Sequence, residues 1–260
     1  MSDRPAPERA RPNPSIVRSG RLVALRESFA LGYAYPVRAV AGNAFRRAPV
    51  HEKITRAWCR LLVRRYDVRL ERDPASAPLL VGRRCIWICP HRSVADFFIH
   101  KEIVEGRGAT LSRFLVAAVF PLIWVASHFD RSVWFFRRDR AHTREAFYRW
   151  LDRQFERCPL DGLIVYAEGH RSQGDRPLPL KAGMIRYAFR RGLPIQIVMT
   201  AHTESVLNEK GLVVSRGVTV PFRIEPPLEP HDFADERAFF QAVREAFERS
   251  FRDVAGRGGL

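Results

Sequence analysis

The chain has 260 residues, 46% of them apolar and 11% aromatic, so it can bury a sizeable core and is not a disordered chain. Its 44 basic residues against 28 acidic ones leave a formal charge of +16, and all but four of the basic residues are arginine. That balance points toward nucleic acid, an anionic membrane or phosphorylated substrates. With 16 glycines and 18 prolines, collagen-like and low-complexity chains are excluded.

In chain order, residues 1–14 read as a disordered Pro/Arg-rich tail without the apolar stretch of a secretory signal. From Ser15 to about Ala48, apolar residues such as Leu22, Leu25, Phe29, Tyr35, Val37 and Val40 recur at helical spacing among arginines. A second helix is predicted over His51 to Tyr66, with Ile54, Trp58, Leu61 and Leu62 on one face and Arg56, Arg60, Arg64 and Arg65 elsewhere. Residues 1–72 hold 15 arginines and one lysine against six acids, a net +10. A basic amphipathic region over 15–72 fits docking on an anionic membrane surface. It fits equally a helical hairpin packed on the main domain with a solvated basic face. The sequence leaves both open.

Past Asp73-Pro74 the texture becomes strand–helix alternation. Strands are predicted at 86–89, 115–118, 133–136, 163–167, 195–200 and 218–224, and helices at 94–105, 142–157, 182–190 and 235–254. The fold class is therefore α/β: a mixed, mainly parallel sheet flanked by helices, preceded by the amphipathic helical hairpin. Residues 73–260 form the main α/β domain of this division. The longest apolar run, Phe114 to Ser127, is broken by Pro121 and falls short of the roughly 18 residues of a membrane span. Four irregularly spaced cysteines are no disulfide framework, which places the chain in a reduced, cytosol-facing compartment without a membrane span. Cys85, Cys89 and His91 have C-x3-C-x-H spacing, but no fourth ligand stands nearby. They read as buried strand thiols, and no metal is expected.

Three clusters carry chemistry. His91 follows a strand directly, and Asp96 stands five residues on in the opening turn of the next helix, with Ser93 as a natural N-cap. That spacing can return the carboxylate to one ring nitrogen and leave the other as a general base for a substrate hydroxyl. Taken alone, the pair is also what an ordinary capped turn would show. The second cluster is Phe135-Phe136-Arg137-Arg138, where paired arginines at a strand exit would hold a phosphate or simply be an arginine-rich loop. The third is Glu168-Gly169-His170-Arg171-Ser172, followed by a proline-bearing loop and Lys181-Ala182-Gly183. Gly169 permits close backbone approach, Arg171 and Lys181 could clamp an anion, and Glu168 could order a hydroxyl or the loop itself.

In order and spacing these clusters resemble the blocks of the glycerolipid acyltransferases, the glycerol-3-phosphate and lysophosphatidate acyltransferase superfamily. His91…Asp96 is similar to the His-x4-Asp block and Phe-Phe-Arg-Arg to the second. Glu168-Gly169-His170-Arg171-Ser172 is similar to the Glu-Gly-x-Arg block, and Leu193-Pro194-Ile195 to the proline-containing fourth. The likeness spans about residues 85–205. Tyr166-Ala167 stands where the family usually has Phe-Pro, His170 replaces a Thr or Gly, and Pro90 an Asn; no reactive group is lost.

The resemblance implies His91 as base and Asp96 as its orienting partner. Arg137, Arg138, Glu168, Gly169, Arg171, Ser172 and Lys181 would bind substrate. The acyl donor would be acyl-CoA or acyl carrier protein, the acceptor a lysophospholipid or glycerol-3-phosphate, and no bound cofactor or metal is needed. Backbone amides near the helix start would stabilise the oxyanion. The setting implied is the cytoplasmic face of a membrane, held peripherally on its anionic surface. The run 114–127 would then be an acyl tunnel, a docking face or plain core. Another lipid acceptor remains an alternative. A basic nucleic-acid-binding protein is a further one, though no recognisable binding module is present and no nucleic acid is expected.

Overall fold

The computed structural model describes residues 17–19, 26, 30, 34–43, 49–52, 54–114, 124–125, 130–136, 143–208, 211 and 213–256. A seven-stranded sheet forms the body. Its strands are β2 (Arg69–Arg72), β3 (Cys85–Ile88), β4 (Gly108–Arg113), β5 (Val133–Phe136), β6 (Gly162–Val165), β7 (Ile195–Thr200) and β10 (Thr219–Ile224). They lie in the order β2-β10-β7-β3-β6-β4-β5. β7, β3, β6, β4 and β5 are mutually parallel, whereas β10 runs antiparallel to β7 and parallel to β2. A small second sheet pairs β1 (Val17–Ser19), β9 (Val213–Arg216) and β8 (Leu207–Asn208), all antiparallel. The helices are α1 (Tyr35–Asn43), α2 (Ile54–Arg65), α3 (Asp96–Ile103), α4 (Arg144–Arg157), α5 (Ala182–Arg191), α6 (Thr203–Val206) and α7 (Glu236–Ala255).

The expected α/β class and mixed, mainly parallel sheet are what the structure has. Alternation along β3 divides the core between the two faces. Cys85, Trp87 and Cys89 face the α2–α3 layer with Trp58, Leu62, Phe98 and Ile99. Ile86 and Ile88 face the α4, α5 and α7 layer with Leu151, Tyr187, Val243 and Phe247. The Trp87 indole lies so close over the neighbouring strands that a Cβ at Gly108 or Gly162 would stand 3.0 Å or less from its ring. All four thiols, Cys59, Cys85, Cys89 and Cys158, are free and buried, and burial pushes each one's pKa up. Among the described residues no cluster of three or more metal-ligating side chains occurs.

Helix ends follow local chemistry. Thr143 and Asp235 accept the amides of Ala146 and Ala238 at the starts of α4 and α7, and Gly192 ends α5 at φ 60°. The expected helix over 51–66 is α2, preceded by a short 3-10 turn at Val50–Glu52. Its apolar face, Ile54, Trp58, Cys59 and Leu62, is buried in the core, and Arg56 and Arg60 pair with Glu52 and Glu102. Together with β2, α2 packs into the same body as residues 73–256.

Two local expectations are corrected, and a third falls outside the described residues. Val17–Ser19 is a strand rather than helix, because β9 is available to pair with it. The strand preceding the long apolar run is Gly108–Arg113, and the expected strand over 115–118 lies outside the described residues, as does most of the run 114–127. Ser93 does not cap α3. Its hydroxyl accepts the Ala95 amide and donates to the Leu207 carbonyl, while Ala95 holds the cap position. No described helix is long and apolar enough to cross a membrane.

One buried amide locks the sheet to the segment ahead of β3. Gln196 on β7 is completely buried, and its Oε1 accepts from the Leu80 amide at 2.9 Å and from Trp87 Nε1 at 3.2 Å. Its Nε2 donates to the carbonyls of Pro78 at 2.9 Å and Glu225 at 3.0 Å. Gln196→Leu orphans all four partners. We expect a loss on the order of 3 kcal/mol, read as a lower urea midpoint with an unchanged m value.

Candidate active site

The carboxyl ends of β3, β6 and β7 lie at one sheet edge, and the loops leaving them converge on His91. His91 Nδ1 is 2.9 Å from Asp96 Oδ2. The turn between them is closed by the same oxygen, which accepts the amides of Arg92 at 2.6 Å and Ser93 at 2.9 Å. The other oxygen, Oδ1, accepts the Thr203 hydroxyl at 2.5 Å from the start of α6. Asp96 is completely buried, whereas a quarter of the His91 side chain is exposed. Burial opposes ionisation of Asp96, yet the His91 hydrogen bond, the nearby imidazoles and the Thr203 hydroxyl hold its pKa below the ordinary carboxylate value. The ionised carboxylate thus accepts the Nδ1–H hydrogen bond, keeps that proton on Nδ1 and leaves the Nε2 lone pair free.

Glu168 ties the loop after β6 to the loop after β3. Its Oε2 accepts the His91 amide and its Oε1 the Leu178 amide, both at 2.8 Å. Burial raises its pKa against those two bonds. The Ser172 amide donates to the His91 carbonyl at 2.8 Å, so the third block embraces the His91 turn. Gly169 has φ 77°, and a Cβ there would collide with Lys181 Nζ, which lies over its backbone. Lys181 and Arg171 are exposed on this loop. The structure therefore brings together His91, Asp96, Glu168, Gly169, Ser172 and Lys181, with Arg171 on the same loop. Arg137 and Arg138 lie outside the described residues, although β5, which leads to them, ends at the same edge. The fourth block belongs to the opposite edge. The Pro194 carbonyl accepts the Ile86 amide where β7 begins.

Five of the amides around the start of α3 are already engaged within the turn. Those of Arg92, Ser93 and Ala95 serve Asp96 and Ser93, and those of Asp96 and Phe97 close the turn onto Ser93 and Val94.

Several site residues carry no local sequence signal. Arg92 makes a two-point ion pair with Glu204 at 2.6 and 2.7 Å and donates to the Gly174 carbonyl. Thr203 and Glu204 are recognisable only as polar residues just past a strand that ends at this edge. Tyr166 stacks on His91, and His100 and Thr200 lie behind it.

The sequence of residues 64–200 matches the family model described as Acyltransferase. The chain is 25% identical over 158 residues to a 1-acyl-sn-glycerol-3-phosphate acyltransferase of Cocos nucifera, covering 59% of this chain and 49% of the relative. It therefore spans about half the length of that curated relative. The fold is similar to the crystal structure of the 1-acyl-sn-glycerophosphate acyltransferase PlsC of Thermotoga maritima, with TM-score 0.66 and 18% identity over 90% of this chain and 93% of that one.

The buried site makes stability depend on pH in two windows. Burial lowers His100 from 6.5 to about 4, so the unfolded chain binds the extra proton and stability falls as pH drops from 6.5 toward 4. The contribution of Asp96 is complete above its unfolded value and is lost as pH falls through its depressed folded value. Urea midpoints measured from pH 7 to 3 should show His100→Gln flattening the upper window. Asp96→Asn should change the steepness only below about pH 4.

Proposed function

The chain belongs to the acyltransferase family, and on that footing we propose that it moves a fatty acyl group from a thioester donor to a hydroxyl of a glycerophospholipid precursor. The donor is acyl-CoA or an acyl carrier protein, and the acceptor lysophosphatidate or glycerol-3-phosphate. The observation that carries the reading is the His91 imidazole, bonded at Nδ1 to a buried carboxylate and partly open to solvent. The name of the Cocos nucifera relative supports a 1-acylglycerol-3-phosphate acceptor over its matched half.

In this mechanism Nε2 takes the proton of the acceptor hydroxyl as its oxygen attacks the thioester carbonyl. Asp96 stabilises the imidazolium that forms. Collapse of the tetrahedral intermediate breaks the C–S bond, and the imidazolium returns its proton to the departing thiolate. The products are an ester and a free thiol, with no acyl-enzyme and no metal or cofactor in the sequence of steps. Arg171 and Lys181 hold the acceptor phosphate, with Arg137 and Arg138 as further candidates. Glu168, Gly169 and Ser172 shape the loop that presents them. The basic front region supplies a peripheral contact with the cytoplasmic face of an anionic membrane. Val37 and Arg38 on α1, and Phe114, Trp124 and Val125 elsewhere, expose apolar and basic groups suited to it.

The test is an acceptor panel of lysophosphatidate, glycerol-3-phosphate and other lysolipids, run with each donor type. His91→Ala should lower kcat by about 10²–10⁴-fold. Arg171→Ala should chiefly raise the acceptor KM. Acylation of no acceptor by the wild-type chain, or near-normal turnover by His91→Ala, rejects the proposal.

A further inference from the structure

We propose that Tyr166 is a positioning residue for His91, and that the buried His100 behind it fixes the tyrosine. The kinetic side of this proposal rests on the acyl-transfer reading; the geometric side does not. The His91 and Tyr166 rings are stacked, with centroids 4.2 Å apart and 15° between their planes. A carboxylate at Nδ1 fixes one nitrogen but leaves the imidazole free to rock about that bond. A parallel aromatic face removes the rocking and aims Nε2.

Tyr166 is anchored in turn. Its hydroxyl lies 3.3 Å from His100 Nδ1, and His100 Nε2 lies 2.9 Å from Thr200 Oγ1. His100 is completely buried on α3, and burial keeps it neutral over the working range. Asp96, on its own helix, and His91, from the preceding loop, are the titratable groups that bear on it. A neutral imidazole has one donor and one acceptor, and each hydroxyl can supply whichever role is missing. The chain Thr200–His100–Tyr166 is thus satisfied without a buried charge. Phenylalanine at 166 would stack as well but would leave a buried His100 nitrogen unpaired.

Variants of the full chain separate the two contributions. Tyr166→Phe keeps the ring and removes the hydroxyl; kcat should fall about tenfold, with both KM values held within about twofold. Tyr166→Leu removes the ring, and kcat should fall about a hundredfold, again with little change in KM. Adding His100→Leu and Thr200→Val to Tyr166→Phe removes every polar atom of the broken chain and should recover most of the lost kcat; no recovery overturns the role given to His100. NMR of protein carrying isotope-labelled histidine reads the stack without turnover, His91 being assigned with His91→Gln. The His91 ring protons should carry a ring-current shift in wild type and Tyr166→Phe and lose it in Tyr166→Leu. Resonances that do not move in Tyr166→Leu, or wild-type kcat in that variant, overturn the proposal. The expected shift in a wild-type protein that acylates no acceptor sustains the positioning and rejects acyl transfer.

Discussion

The site depends on the Asp96 carboxylate. A fully buried carboxylate costs several kcal/mol unless its lone pairs are met. Here two oxygens meet four donors, from His91, Arg92, Ser93 and Thr203. Those donors come from the loop after β3 and from α6, so satisfying one charge fixes the relative placement of both. The bond that chooses the His91 tautomer is one of the four. In the proposed mechanism the geometry of the base and local stability therefore rest on the same group, and neither can be altered alone.

The sheet makes this convergence possible. Five parallel strands deliver their following loops to one edge, so residues far apart in the chain become neighbours there. Glu168 and Ser172, from the loop after β6, bind the backbone of His91 on its amide and its carbonyl. Two loops 77 residues apart are held as one unit, with the Arg92–Glu204 ion pair closing a third side. Because these bonds reach main chain, the third block builds the His91 turn besides presenting its own side chains.

What was legible in the sequence was what is local. His91 and Asp96 are five residues apart on a strand–helix junction, and their partnership is readable from that spacing. The helices α4, α5 and α7 are legible by period, while the structure sets their ends at Thr143, Gly192 and Asp235. The strand Gly108–Arg113 was hidden because Gly-Ala-Thr-Leu-Ser-Arg has little apolar alternation and the apolar run just after it is stronger. Val17–Ser19 was hidden in a segment with helical spacing, since its partner strand is some two hundred residues away. Thr203 and His100 owe their roles to partners 107 and 100 residues distant. Tyr166 is visible in the sequence as a departure, but only the sheet register shows that it lies on His91.

The burial of all four cysteines has a consequence outside the site. A thiol reagent in solution finds no accessible thiolate on the folded chain, because each sulfur is enclosed and its proton is held more tightly by burial. Cys59 sits in α2, Cys85 and Cys89 in and just beyond the central strand β3, and Cys158 at the end of α4. Each sulfur becomes reactive only when its own layer opens. The protein thus carries internal reporters of opening on both faces of the sheet, and their separate alkylation rates would map which layer loosens first.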